Sequence, residues 1–193
     1  MSTTIALPGF ADPVDEAQTT FRAVLDAMAR PGKLLQVSPR LTAPPPLDLA
    51  TAAVLLTLVD NETPVWLDTT AMAARDWLAF HCGAVIIGTP DETRFAVAFT
   101  LPELAALPAG THEAPENSAT LILQVAALGT GARYRLSGPG LREPTLLAAT
   151  GLPVDFAAIW QRNHALYPRG VDIILCADTT LTALPRSVSI EEA

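Results

Sequence analysis

Histidine beside cysteine is the densest pairing of reactive side chains in this sequence, at His81-Cys82. Such a pair could supply half of a zinc site, which needs three or four converging His, Cys or carboxylate ligands. No HxxxH or CxxC accompanies it, so a core histidine and a buried thiol is the better reading. His112-Glu113 falls in the loop Pro108–Asn117 and reads as solvated. His164 follows Asn163 and precedes Tyr167-Pro168-Arg169-Gly170, a polar loop tip that could also line a pocket. Ser137 precedes Gly138 without the strand–turn–helix setting of an activated serine. The sequence holds no G-x-S-x-G elbow, no Walker lysine and no dinucleotide fingerprint.

The cations narrow the chemistry further. Lys33 is the single lysine of the chain, just after a helix stop and on a short early strand. A pyridoxal phosphate enzyme needs a lysine placed for the Schiff base and an acidic partner for the ring nitrogen. Lys33 is badly placed for that, so no Schiff-base lysine is assigned and no cofactor is expected. All other cations are arginines. Between Gly129 and Ile190 stand Arg133, Arg135, Arg142, Arg162, Arg169 and Arg186, against Glu143, Asp155, Asp172 and Asp178. Guanidinium forks suit carboxylate or phosphate, whereas solvated arginines in weak surface pairs are the plainer alternative. Arg169, between Pro168 and Gly170, is the first to test, and Arg30, before Pro31, the second.

Elements must position these groups. Asp12 caps a helix with Pro13 at its first turn, and Val14, Ala17, Phe21, Val24, Leu25 and Met28 recur as one apolar stripe. Arg30-Pro31-Gly32 stops it, and Lys33–Val37 predicts a short strand. After Pro44-Pro45-Pro46 a second helix, roughly Leu47–Val59, is apolar on most sides, which implies burial or an interface. A strand at Val65–Leu67, a helix at Ala71–His81 and a buried strand at Ala84–Ile87 follow. Phe95, Val97 and Phe99 alternate as a strand that could pair antiparallel with a central strand at Leu121–Val125. Tyr134–Leu136 reads as its hairpin or crossover partner, Phe156–Ala165 as a helix and Val171–Ala177 as a fully buried strand. Gly138-Pro139-Gly140 is a turn with one positive φ residue, or else a phosphate-cradling nest. Helices alternating with β-branched runs predict a three-layer α/β/α domain with a mixed sheet.

The totals agree with one domain over residues 1–193. At that length about 70% of the unfolded chain's surface is buried on folding. Half the residues are hydrophobic and 17% are charged, enough for a core and for an additional interface. A net charge of −8 argues against a nucleic-acid binder, which gathers phosphates on a basic patch. MSTTIALPGF lacks the basic and long apolar regions of a signal peptide, and the apolar runs are too short to span a bilayer. Cys82 and Cys176 stand isolated in apolar sequence, as reduced cytoplasmic thiols do.

Four segments carry a family resemblance: FRAVLDAMARPG at Phe21–Gly32, VLLTLVDNETPVWLD at Val54–Asp68, LSGPG at Leu136–Gly140 and YPRGVDIILC at Tyr167–Cys176. The chain resembles PhnH, the H subunit of the bacterial carbon–phosphorus lyase system, over nearly its whole length. That resemblance implies an α/β/α homodimer like the large domain of pyridoxal-phosphate transferases, stripped of the cofactor site. It also implies assembly with the G, I and J subunits. With the G, I and L proteins the family supports attack of methylphosphonate on the anomeric carbon of ATP, giving ribose 1-methylphosphonate 5-triphosphate and adenine. It supplies no established catalytic residue to carry over to this chain. Two classes of function therefore compete. One is a non-catalytic assembly subunit. The other is an anion-binding protein or small enzyme whose pocket gathers Arg30, His81, Asn163 and Arg169. The lack of convergent titratable groups favours the first.

Overall fold

A computed structural model describes residues 6–193 of the chain. The absence of a leader was read partly from residues 1–5, which lie outside the described residues. The first helix, α1 (Pro13–Ala29), starts as its sequence predicts, with the Asp12 carboxylate accepting from the Asp15 amide at 3.2 Å. Its packing face differs from the apolar stripe. Glu16, Thr20, Val24 and Ala27 face inward, while Val14 is 80%, Phe21 43% and Leu25 51% exposed. At 100° per residue the buried face lies about a quarter of a turn from the stripe. Polar satisfaction decides the rotation. Glu16 accepts from the Ala11 amide and from the Arg40 amide and Nε, tying two extended segments to the helix. Burial alone would raise the Glu16 carboxyl; these hydrogen bonds outweigh it and hold the group below its ordinary range.

The short strand β1 (Leu35–Gln36) precedes α2 (Leu49–Leu58). In α2 every residue from Ala50 to Leu55 is fully buried, against α1, the third helix and the sheet. Burial within its own chain therefore accounts for the all-round apolar character, and no interface is needed there. Next come β2 (Pro64–Leu67), a 3₁₀ turn at Ala71–Ala74, α3 (Arg75–Cys82), β3 (Val85–Ile87), β4 (Phe95–Ala98) and β5 (Thr120–Gln124). The remaining elements are β6 (Ala127–Ser137), β7 (Thr145–Thr150), α4 (Phe156–His164), β8 (Asp172–Ala177), β9 (Thr180–Leu184) and β10 (Ser189–Glu192). No helix among the described residues is long and apolar enough to cross a membrane.

Seven strands form a mixed sheet in the order β1-β9-β8-β5-β4-β2-β3, with β5 in the middle as its composition predicts. Only β9 runs against its neighbours, so β1 is parallel to β8 across it. The expected antiparallel pairing of Phe95–Phe99 with Leu121–Val125 is corrected: β4 and β5 are parallel, with Phe95 opposite Thr120. The reason is the long connection between them, which crosses back over one face of the sheet as parallel pairing demands. β3 is likewise an edge strand with Val85 46% exposed, rather than the buried strand expected.

Helices α1, α2 and α3 cover one face of this sheet, and their core takes Val65, Val97, Ile122, Ile174 and Cys176. The other face is covered by α4 together with a second, three-stranded antiparallel sheet, β10-β6-β7. Tyr134–Leu136 belongs to that sheet rather than to the β5 pairing expected of it. Trp160 of α4 is fully buried and donates Nε1 to the Val188 carbonyl at 2.7 Å, pinning helix to small sheet. β8 is buried on both faces, Ile173 and Leu175 toward α4, Ile174 and Cys176 toward α2, hence its continuous apolar run.

Candidate functional site

Open α/β sheets bind ligands outside the carboxyl ends of their parallel strands, where the strand order reverses. Here the chain runs from β2 outward to β3 and then returns to the other side of β2 for β4. The crevice between β2 and β4 holds Asp68. Its Oδ1 accepts from the Ala71 amide and its Oδ2 from the Phe99 amide, both at 2.7 Å. Farther along, Gln124 accepts from the Asp48 amide at 2.8 Å and donates to the Pro46 carbonyl at 3.1 Å. Asp48 in turn accepts from the Asp178 amide at 2.8 Å. These three side chains are tied to backbone and close turns at the rim.

Lys33 stands at the other end of the sheet, just before β1. Its Nζ lies 2.7 Å from Asp26, which also pairs with Arg30 at 2.5 Å. The Lys33 hydrogen bond, helped by the Arg30 charge, holds the Asp26 carboxyl below its ordinary range. Arg30 thus sits on the surface at the end of α1 with its side chain 60% exposed. His81 donates Nε2 to the Leu7 carbonyl at 3.0 Å, and its ring packs against Trp77 at 4.8 Å between centroids. Arg30 and His81 precede opposite edge strands, β1 and β3. Six strand spacings put those edges about 29 Å apart. Asn163 and Arg169 lie on the α4 side of the sheet. The four residues therefore do not share a pocket; only Asn163 and Arg169 come together.

Asn163 is buried and makes both hydrogen bonds to one residue, accepting from the Val171 amide and donating to its carbonyl at 2.8 Å each. It closes the loop that carries Arg169, whose Nε is buried without a hydrogen-bond partner among the described residues. Beside them lies a polar knot that sequence reasoning counted only as charges. Asp172 accepts from the Arg186 amide at 2.7 Å and its Nε at 3.1 Å, and pairs with Nη2 as well. Arg186 Nη1 donates to the Pro115 carbonyl at 2.8 Å, and His164 Nδ1 to the Arg186 carbonyl at 2.8 Å. The available signal was an aspartate opening an otherwise apolar strand, which a buried position allows only with a partner.

A cavity of about 470 Å³ opens next to this knot, between α4 and the crossover at residues 101–109. Leu101, Leu104, Leu107, Ile159 and Leu166 give its apolar walls, Arg162 and Glu103 its charged ones. Asn163 borders it with its amide already committed to Val171.

The thiols offer no nucleophile. Burial pushes Cys82 from 9.0 up to about 12, with the Asp60 charge adding. Burial pushes Cys176 to about 12 as well, with the Asp48 charge adding. Both are protonated at neutral pH, and native protein at pH 8 should resist iodoacetamide for hours while unfolded protein is alkylated at both. Rapid labelling of the native state would contradict this. Because the folded thiols ionise later than unfolded ones, their contribution to stability is whole below pH 9.0 and falls away toward about 12. Among the described residues no three His, Cys, Asp or Glu side chains converge as a metal site.

The glycine motifs meet each other. A Cβ on Gly32 (φ +80°) would lie 2.6 Å from Leu136 Cδ1, and one on Gly140 (φ +86°) 2.5 Å from the Ala29 carbonyl oxygen. ARPG at the end of α1 and LSGPG at the end of β6 are thus two halves of one joint, which couples the helical face to the small sheet. Residues 8–191 match the family described as bacterial phosphonate metabolism protein (PhnH). The chain belongs to the PhnH family. Among relatives, the alpha-D-ribose 1-methylphosphonate 5-triphosphate synthase subunit PhnH of Rhizobium meliloti (strain 1021) is 41% identical over 187 residues, covering 94% of each chain. A putative C-P lyase subunit protein, HtxG of Stutzerimonas stutzeri, is 29% identical over 174 residues, 90% of this chain and 85% of its own. For a PhnH-family chain the joint explains why the glycines stand where they do: they serve backbone packing.

Proposed function

We propose that this chain is a non-catalytic assembly subunit of a carbon–phosphorus lyase core complex, acting in the cytoplasm as a single-domain homodimer that contacts the G, I and J subunits. In that setting it supports formation of α-D-ribose 1-methylphosphonate 5-triphosphate. A methylphosphonate oxygen attacks the anomeric carbon of ATP, adenine leaves, and the reacting groups belong to partner subunits. The relatives' names support the setting. The observation that carries the non-catalytic role is the sheet's carboxyl rim, where Asp68, Gln124 and Asp48 are bound to backbone amides and carbonyls.

The reading includes a likeness to the large domain of pyridoxal-phosphate transferases without their cofactor site. A seven-stranded sheet with one reversed strand, helices on both faces and a lysine at the amino end support it. Self-association has a natural surface in the stripe Val14, Phe21 and Leu25 of α1, which stays exposed among the described residues.

The test is co-expression. Tagged protein should elute as a dimer on light scattering, and should capture the G, I and J subunits in fixed stoichiometry. Phe21→Asp with Leu25→Asp should yield a folded monomer. A wild-type monomer that captures none of the three subunits would end the proposal.

A further inference from the structure

We propose that the groove between α4 and the 101–109 crossover seats a segment of a partner subunit carrying an apolar side chain flanked by a carboxylate. This rests on the assembly reading above and names where, and with what chemistry, a partner is held.

Charge complementarity selects this occupant. The chain is acidic overall, at −8, yet the cation on this rim has no counter-ion: Arg162 makes no ion pair among the described residues. It lies three residues after Ile159 on α4, with Leu166 in the turn just past the helix end, so together they offer an apolar floor with a guanidinium set in it. An arginine beside an apolar pocket is the usual make-up of an energetic centre in an interface. Glu103 on the opposite wall gives the contact a direction, because an incoming carboxylate is repelled there and drawn toward α4. The neighbouring Asn163 amide is held in place by its two bonds to Val171. Apolar surface also runs past the end of the cavity. Leu166 is 37% and Tyr167 60% exposed, so the strip extends beyond the cavity mouth. It lies on the face of the sheet opposite α1, leaving the α1 stripe free for the second copy.

Two variants test the groove without disturbing the core. Arg162→Glu reverses the rim charge at an exposed helix position, and Ala105→Trp fills the cavity from the exposed crossover. Each is co-expressed with the G, I and J subunits and captured by its tag, with melting temperature and dimer mass measured alongside. Capture of at least one subunit should fall about tenfold or more, with fold and dimer intact. Wild-type-like capture by both variants overturns the groove while leaving the assembly reading standing, whereas failure of wild-type capture sinks that reading itself. Loss of the dimer instead of the partner assigns the groove to a second copy and overturns the proposal. So does calorimetric binding of octanoate that depends on Arg162 while subunit capture is unaffected.

Discussion

Asp172→Ala should lower the unfolding free energy by about 3–5 kcal/mol, read as a fall in the urea midpoint at unchanged slope. The change leaves the Arg186 guanidinium in a site where its side chain is only 15% exposed, with its main counter-charge removed. It also strands the Arg186 amide, which Asp172 satisfies at 2.7 Å. Exposure separates this pair from the Arg40–Glu16 bridge, whose arginine is 74% exposed, so that water screens the mutual attraction. Adding Arg186→Leu to Asp172→Ala should recover part of the loss, because a buried apolar pair costs less than a lone cation. Recovery stays incomplete because Pro115 loses its donor and the amide at 186 keeps no acceptor. A midpoint for Asp172→Ala indistinguishable from wild type would show that the knot does not hold β8 to the tail.

The second large effect is expected at the joint between the glycine motifs. Gly140→Ala forces a side chain onto a backbone of φ +86° and drives its Cβ to 2.5 Å from the Ala29 oxygen, a contact with backbone that cannot rotate away. Positive φ and overpacking together should cost about 2–4 kcal/mol. Gly88→Ala is the matched control, since a Cβ there meets nothing within 4 Å and the change should be near neutral. Hydrogen exchange should locate the damage: protection is lost at the end of α1 and in β6 and β7, and kept in β5 and β8. Equal stability of the two variants would mean that the motifs do not pack as one unit.

These expectations bear on function because a subunit that contributes surfaces must hold its layers in fixed relation. α1 belongs to one face of the large sheet and β6 to the other, and the joint of Gly32 and Gly140 couples them directly. A loosened joint should therefore weaken partner capture without altering any group that could react. The carboxyl rim fits the same picture. Asp68 at the reversal of strand order could have been a ligand group, but it closes the turn after β2 onto the start of the 99–119 connection.

Much was legible in the residues alone. The Asp12-Pro13 start of α1, the central place of β5 and the doubly buried β8 follow from local rules: capping geometry and apolar continuity. Family membership was legible too, in motifs whose glycines serve backbone packing. Tertiary structure alone decided the rest. The outward turn of Val14, Phe21 and Leu25 depends on where Glu16 finds its amide partners, and one of them is 24 residues away in sequence. Parallel pairing of β4 and β5 depends on the path of a connection with no strong periodicity. The dispersal of Arg30 and His81 to opposite sheet edges, and the union of Asp172 with Arg186, depend on strand order. Side-chain spacing reports what a segment does with its own neighbours within a turn or two. It carries no information on which distant backbone group a polar atom will satisfy, and in this chain that choice sets both the scaffold and the surfaces left open.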